Sequence, residues 1–133
     1  MVNENITQIL ENYKRIAVIG ISNKPERAGY QIPRFMQEHG YKIFPVNPGL
    51  DEVLGEKCYP SLLEIPEEIE VVDIFRRPEF VDDIVDDAIK KGAKVIWMQT
   101  GIVNERAAQK AIEAGMQVVM DRCIKTEYRM WVL

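Results

Sequence analysis

Cysteine and histidine are nearly absent from this chain. It has two cysteines, Cys58 and Cys123, and one histidine, His39, with no close-spaced pair among them. That excludes a zinc cluster and a disulfide framework. No apolar stretch reaches the ~18 residues needed to span a bilayer. The N-terminus, Met1-Val2-Asn3-Glu4-Asn5, lacks the basic start and apolar run of a secretory signal. An excess of positive charge is missing too. With 17 basic and 21 acidic residues the net charge is −4, which argues against nucleic acid and membrane surfaces as partners. Any basic site must be local. These absences predict a cytoplasmic protein whose 133 residues form a single domain, 1–133, with a core of its own.

What is present is a repeated pattern. Short, β-branched, nearly continuous apolar runs occur at Ile16–Ile19, Ile43–Val46, Val71–Phe75, Val95–Met98 and Val118–Met120. Runs of this kind suit strands buried on both faces. Amphipathic stretches lie between them. Phe80, Val81, Ile84, Val85, Ala88 and Ile89 mark one face of a helix starting at Pro78, with acids in its first turns and Lys90 and Lys91 in its last. Ile32, Phe35 and Met36 mark the helix before Gly40, and Ala107, Ala108, Ala111 and Ile112 the one before Gly115, capped by Asn104. Ile6, Ile9, Leu10 and Tyr13 give an N-terminal helix.

One device recurs three times. His39-Gly40, Lys91-Gly92 and Ala114-Gly115 each end a helix, and a strand begins a few residues later. Repeated junctions of this kind imply right-handed βαβ crossovers. The expected fold is therefore α/β: a Rossmann-like, doubly wound parallel sheet in three α/β/α layers. The expected strand order is 3-2-1-4-5-6, with a short third strand near Lys57-Cys58-Tyr59. The apolar end, Met130-Trp131-Val132-Leu133, is expected to pack on the domain, the alternative being a dimer contact.

In such a sheet, ligands bind beyond the carboxyl ends of the strands, where strand order reverses. The segments there are Gly20–Gly29, Asn47-Pro48, Phe75-Arg76-Arg77 and Gln99-Thr100-Gly101. Gly20 permits a sharp turn and close approach of a ligand. A helix starting near Gly29-Tyr30 turns free N–H groups toward the same space, favouring an anion. Ser22 adds a hydroxyl, and Lys24 and Arg27 add charge. The loop departs from G-x-G-x-x-G, which needs glycine at Ser22 and again at Pro25. Strand two ends in Val46-Asn47-Pro48, without the acid that binds a ribose 2′-hydroxyl. Arg76 is a candidate for a second phosphate, while Arg77 faces solvent. A ligand richer in phosphate than NAD fits better.

At these residues the sequence resembles the CoA-binding domain in its small stand-alone form, a module similar to the CoA-binding part of the succinyl-CoA synthetase α subunit. The matching stretches are Val18–Ser22 with Lys24–Arg27, Gly40–Pro48, Glu52–Gly55, Tyr59–Leu62, Val72–Arg76, Trp97–Gly101 and Val119–Cys123. The resemblance implies coenzyme A or an acyl-CoA as ligand. Gly20, Ile21 and Ser22 would line the pyrophosphate, with Lys24 and Arg27 nearby. Asn47, Pro48, Phe75 and Arg76 would hold the adenosine end, and Gln99, Thr100 and Gly101 would border the pantetheine arm.

No catalytic constellation is legible. His39 precedes a helix-ending glycine, where histidine serves as a dipole partner or surface residue, and Ser22 has no evident base. Asp82, Asp83, Asp86 and Asp87 read as solvated charges on a wet helix face. Cys58 reads as structural. Cys123 reads as a small buried apolar residue; the alternative places it at the crevice mouth, where it could form a mixed disulfide with the CoA thiol. The leading functional expectation is a non-catalytic CoA-binding carrier, sensor or partner subunit. The alternatives are a small NAD(P)-linked oxidoreductase, and a subunit of an acyl-CoA ligase whose partner chain supplies the histidine and the ATP site. A homodimer or a ligase partner subunit is a possible assembly.

Overall fold

A computed structural model describes every residue from Met1 to Leu133. Helix α1 (Ile6–Asn12) precedes β1 (Arg15–Ile19), α2 (Ala28–Glu38) and β2 (Lys42–Val46), and a hairpin of β3 (Glu52–Val53) and β4 (Glu56–Lys57) follows. The chain continues through β5 (Val71–Ile74), α3 (Val81–Lys91), β6 (Val95–Met98), α4 (Glu105–Glu113), β7 (Gln117–Val119) and α5 (Ile124–Trp131). Five strands form a parallel sheet in the order β2-β1-β5-β6-β7.

Alternation along each strand sorts the core into two layers. Ala17, Ile19, Val72, Ile74, Ile96 and Met98 meet Val85 and Ala88 of α3 and Ala107 and Ala111 of α4. Ile16, Val18, Val71, Val95 and Trp97 meet Ile9 and Leu10 of α1, Met36 of α2 and Ile124 of α5. This is the Rossmann-like, three-layer arrangement expected. No helix is long and apolar enough to cross a membrane.

Three expectations need correction. The third strand shrinks to one parallel bridge between Tyr59 and Val46. Tyr59 donates to the Pro45 carbonyl at 2.9 Å and accepts from Asn47 N–H at 2.9 Å. Pairing stops there because Pro60 has no N–H to continue it, and Lys57 is drawn into an antiparallel pair with Glu52. The strand order is otherwise as read from the sequence.

The C-terminal residues do not all pack on the domain: Met130, Trp131 and Leu133 are exposed. Trp131 continues the inward face of Ile124 and Tyr128 by helical spacing, but no further layer covers it. Finally, the acids of α3 are not simply solvated. Lys110 of α4 lies 2.9 Å from Asp86 and 3.6 Å from Asp82. The hydrogen bond to Asp86 is the main cause raising the Lys110 pKa. Asn104 caps α4 by accepting from Ala107 N–H at 2.9 Å and also donates to Pro78 O at 2.9 Å, tying α4 to the start of α3.

Candidate functional site

Gly20 is where the sheet meets the site. Its φ is +87°, and a Cβ there would lie 2.8 Å from the Phe75 carbonyl oxygen and 2.9 Å from Arg76 Cδ. Only glycine lets the β1 end pass so close to the β5 end. Beyond it the chain crosses back to α2, which begins at Ala28, one or two residues before the expected start.

The loop is held by contacts that leave its outward donors free. Pro33, inside α2, has no N–H to bond the Gly29 carbonyl four residues earlier. That carbonyl instead accepts Ser22 N–H at 3.1 Å, pinning the loop to the helix. Proline four residues after a glycine was the signal for this tie, and the sequence reading missed it. Asn47 braces the other side, donating to Ile21 O at 2.8 Å and accepting Gly49 N–H at 2.8 Å. Ser22 Oγ accepts Lys24 N–H at 3.0 Å, so its hydroxyl hydrogen is still available.

The backbone N–H groups of Ile21, Asn23, Ala28 and Gly29 have no internal acceptor. Lys24 and Arg27 are exposed and enter no ion pair. Ile21, Ser22, Asn23, Lys24 and Arg27 border a hollow of about 300 Å³ between the Gly20 loop and Asn47-Gly49-Leu50, while Ala28 lies on the wall of a second hollow. Two free N–H donors, a hydroxyl and two unpaired cations at one hollow, beside the free N–H groups of a helix start, are the chemistry that receives a phosphate or pyrophosphate.

Two further hollows adjoin it, and Arg76 lines both. The larger, about 370 Å³, lies between α2 and the ends of β5 and β6, against Ile32, Phe75, Gln99, Thr100, Gly101 and Cys123. The smaller, about 170 Å³, lies on the α3 side against Val46, Pro48, Pro60, Ser61, Leu62 and Asp87. The Arg76 guanidinium sits 4.3 Å from the Phe80 ring centre, a cation–π contact that holds it at the junction. Arg77 is exposed, pairs loosely with Glu79 at 3.7 Å, and also borders the larger hollow.

The structure thus brings together Gly20, Ile21, Ser22, Lys24, Arg27 and Asn47 in one hollow, Pro48 and Arg76 in the second, and Phe75, Arg76, Gln99, Thr100 and Gly101 in the third. Gly29 and Tyr30 stand apart. Gly29 contributes its backbone, and Tyr30 packs its ring into the core layer beside α2 while its N–H is taken by Arg27 O at 3.0 Å. The sequence reading missed Pro60, Ser61 and Leu62, because their approach to Pro48 depends on how the hairpin and its following loop fold back.

Cys123 is half-buried on the wall of the larger hollow rather than sunk in the core. It is the N-cap of α5, so the wall is the start of a helix. Asp121, with φ +61°, carries the chain into it and accepts Gly101 N–H at 2.7 Å. Cys58 is buried, and burial pushes its thiol pKa up. His39 stacks on Phe35 at the far end of α2, its Nδ1 2.8 Å from the Phe35 carbonyl.

Beneath Gln99 lies a buried acid, Asp73. Burial pushes its pKa up to about 7, opposed by a hydrogen bond from Gln99 Nε2 at 2.5 Å. A folded-state pKa above the ordinary carboxylate value means that the folded chain holds a proton the unfolded chain has released. The stabilising effect is therefore complete below about pH 4 and is lost as pH rises through about 7. Chemical denaturation from pH 4.5 to 8 should show this falling component in wild type and its loss in Asp73→Asn.

Residues 14–129 match the family described as CoA binding domain. The chain is 44% identical over 123 residues to the uncharacterized protein YneT of Bacillus subtilis, covering 92% of this chain and 91% of that one. It is 41% identical over 125 residues to the acetate–CoA ligase (ADP-forming) I subunit alpha of Pyrococcus furiosus, covering 85% of this chain but only 27% of the ligase subunit. A hypothetical protein of Pyrococcus horikoshii superposes with a TM-score of 0.95 at 47% identity, covering 100% of this chain and 94% of that one. With the family model matching most of its length, and a fold shared with that structure, the chain belongs to the CoA binding domain family.

Proposed function

We propose that this chain binds coenzyme A, or an acyl-CoA, across the carboxyl edge of its sheet as a binding, carrier or regulatory module. The observation that carries this reading is the set of free donors and unpaired cations around Gly20, at the same carboxyl edge of the sheet as the cleft bordered by Gln99 and Cys123. The pyrophosphate lies over the N–H groups of Ile21, Asn23, Ala28 and Gly29, with Lys24 and Arg27 beside it. The adenosine end takes the smaller hollow by Pro48, with Arg76 reaching its 3′-phosphate. The pantetheine arm runs past Phe75 to Gln99, Thr100 and Gly101.

Membership of the family supports this reading, as does the likeness to proteins named acetate–CoA ligase. That two of these relatives are named as alpha subunits favours a second reading, in which the module works beside a partner chain of an acyl-CoA ligase. A nicotinamide dinucleotide fits less well. The Asn47 amide, standing where an acid would take the adenosine ribose, is already committed to Ile21 and Gly49.

Calorimetric titration with CoA, 3′-dephospho-CoA, NAD and NADP tests the proposal. CoA should bind tightest and stabilise by about 2.7 kcal/mol at a hundredfold excess over its Kd. Loss of the 3′-phosphate should weaken binding, and a preference for NAD would overturn the reading. Iodoacetamide labelling gives a positional check. Bound CoA should slow modification of Cys123, which borders the cleft, with buried Cys58 as the internal reference.

A further inference from the structure

Asp73 sits in the middle of an otherwise apolar layer. Its strand neighbours in register are Val18 and Trp97, both core residues of the face covered by α1, α2 and α5. Gln99 donates to it from Nε2 at 2.5 Å and, through Oε1, accepts the Ile124 N–H at 3.4 Å. Ile124 is the first residue of α5, and Cys123 before it forms part of the cleft wall. A chain of two hydrogen bonds thus joins a buried acid to the helix start that borders the candidate site.

The orientation of the Gln99 amide is dictated by the charge on Asp73. An ionised carboxylate only accepts, so the amide must present its NH₂ and leave its oxygen for Ile124. A protonated carboxyl offers both a donor and an acceptor, and then either amide orientation can pair with it. In the flipped orientation the Gln99 NH₂ meets the Ile124 N–H donor to donor, and that bond is lost.

We propose that Asp73 is a positioning residue: as a carboxylate it allows only the Gln99 orientation that holds the start of α5 and Cys123 against the cleft, and on protonation it opens the flipped orientation, in which they are released. Other titratable side chains turned toward this layer are Cys123, Glu127 and Tyr128 at and within α5, Tyr30 from α2, Tyr13 at the end of α1, Tyr41 just before β2 and Cys58 just after β4. The charge of Arg122 lies 3.8 Å from Glu127. None of these is among the causes acting on Asp73, which are burial and the Gln99 hydrogen bond. The release therefore falls near neutrality and belongs to Asp73 itself. The helix start and Cys123 border the cleft whatever occupies it, so this inference does not rest on CoA being the ligand.

The test uses the unliganded chain. Heteronuclear NMR from pH 5.5 to 8.5 follows the Gln99 side-chain amide and the Ile124 backbone amide, with Ile124 hydrogen exchange corrected for its intrinsic pH dependence. Both signals should titrate with one midpoint near pH 7, and Ile124 protection should rise roughly tenfold toward high pH, as expected for regaining one hydrogen bond. The Asp73 contribution to global stability falls as pH rises, and chemical denaturation over the same range gives the total, so protection that rises where global stability does not cannot come from overall unfolding. In Asp73→Asn both signals should be flat, and in Gln99→Met the Ile124 response should vanish while Asp73 remains. Should either variant fail to fold, the wild-type profile still decides. Gln99 titrating without Ile124, or neither titrating in wild type, overturns the proposal. CoA affinity at pH 6 and 8 is measured separately, and failure of CoA to bind would count against the functional reading and not against the latch.

Discussion

Gly20→Ala should lower stability by about 2–5 kcal/mol, the largest effect of any single substitution at the cleft. Two costs combine. A side chain at φ +87° costs roughly 1–2 kcal/mol of backbone strain. Overpacking against a well-packed neighbour adds about 1–3 kcal/mol. Here the neighbour is the Phe75 backbone carbonyl, 2.8 Å from the new Cβ, which cannot swing aside as a side-chain tip would. Gly92→Ala is the control. Gly92 has φ +81° but nothing within 4 Å of where a methyl group would sit, so it should show the strain alone. The difference between the two midpoints in chemical denaturation isolates the contact. Equal midpoints would mean that β1 and β5 part easily at the site. Because a shift at Phe75 also moves Arg76, Gly20→Ala should weaken ligand binding even in its folded fraction.

Charge reversal at Lys24 or Arg27 should do the opposite: leave stability alone and cost binding. Both side chains are exposed and unpaired within the chain, and surface substitutions of that kind usually change stability by less than ~0.5 kcal/mol. A charge-assisted hydrogen bond to a pyrophosphate contributes about 1.5–3 kcal/mol. Lys24→Glu and Arg27→Glu should each therefore weaken CoA at least tenfold. The loss should shrink with added salt, since exposed charges are screened over ~10 Å at 0.1 M. Arg34→Glu serves as the comparison, because Arg34 already pairs with Glu38 on the outer face of α2. Equal losses at Arg34 would point to a diffuse field and not to contacts in the hollow. Unchanged affinity at both Lys24 and Arg27 would remove the pyrophosphate from this loop.

The sequence-level reading reached the sheet and most of the cleft for one reason. Strand-end residues are placed by topology, and topology follows from the alternation of buried runs and helix-ending glycines. Gln99, Thr100 and Gly101 were legible in this way, although far in sequence from Gly20. Cys123 was not. Its reading as a buried apolar residue failed because α5 begins immediately after it, which leaves its side chain on a helix start facing the cleft. The third strand failed for a local reason that could have been seen, the Pro60 that ends its pairing.

By itself the sequence determined the layer order, the parallel sheet and the position of the Gly20–Gly29 loop at the carboxyl edge, because hydrophobic periodicity and glycine placement act locally and repeat along the chain. The tertiary structure alone decided which groups remain unpaired. Ser22 is tied to Gly29 by the donor that Pro33 lacks, Asn47 is consumed in bracing, and Lys24 and Arg27 find no acid. It also decided that Asp73, an ordinary acid in the sequence, lies buried beneath the cleft with Gln99 as its partner. Hydrogen-bond satisfaction and desolvation depend on everything that surrounds a group, and those surroundings exist only once distant segments have packed together.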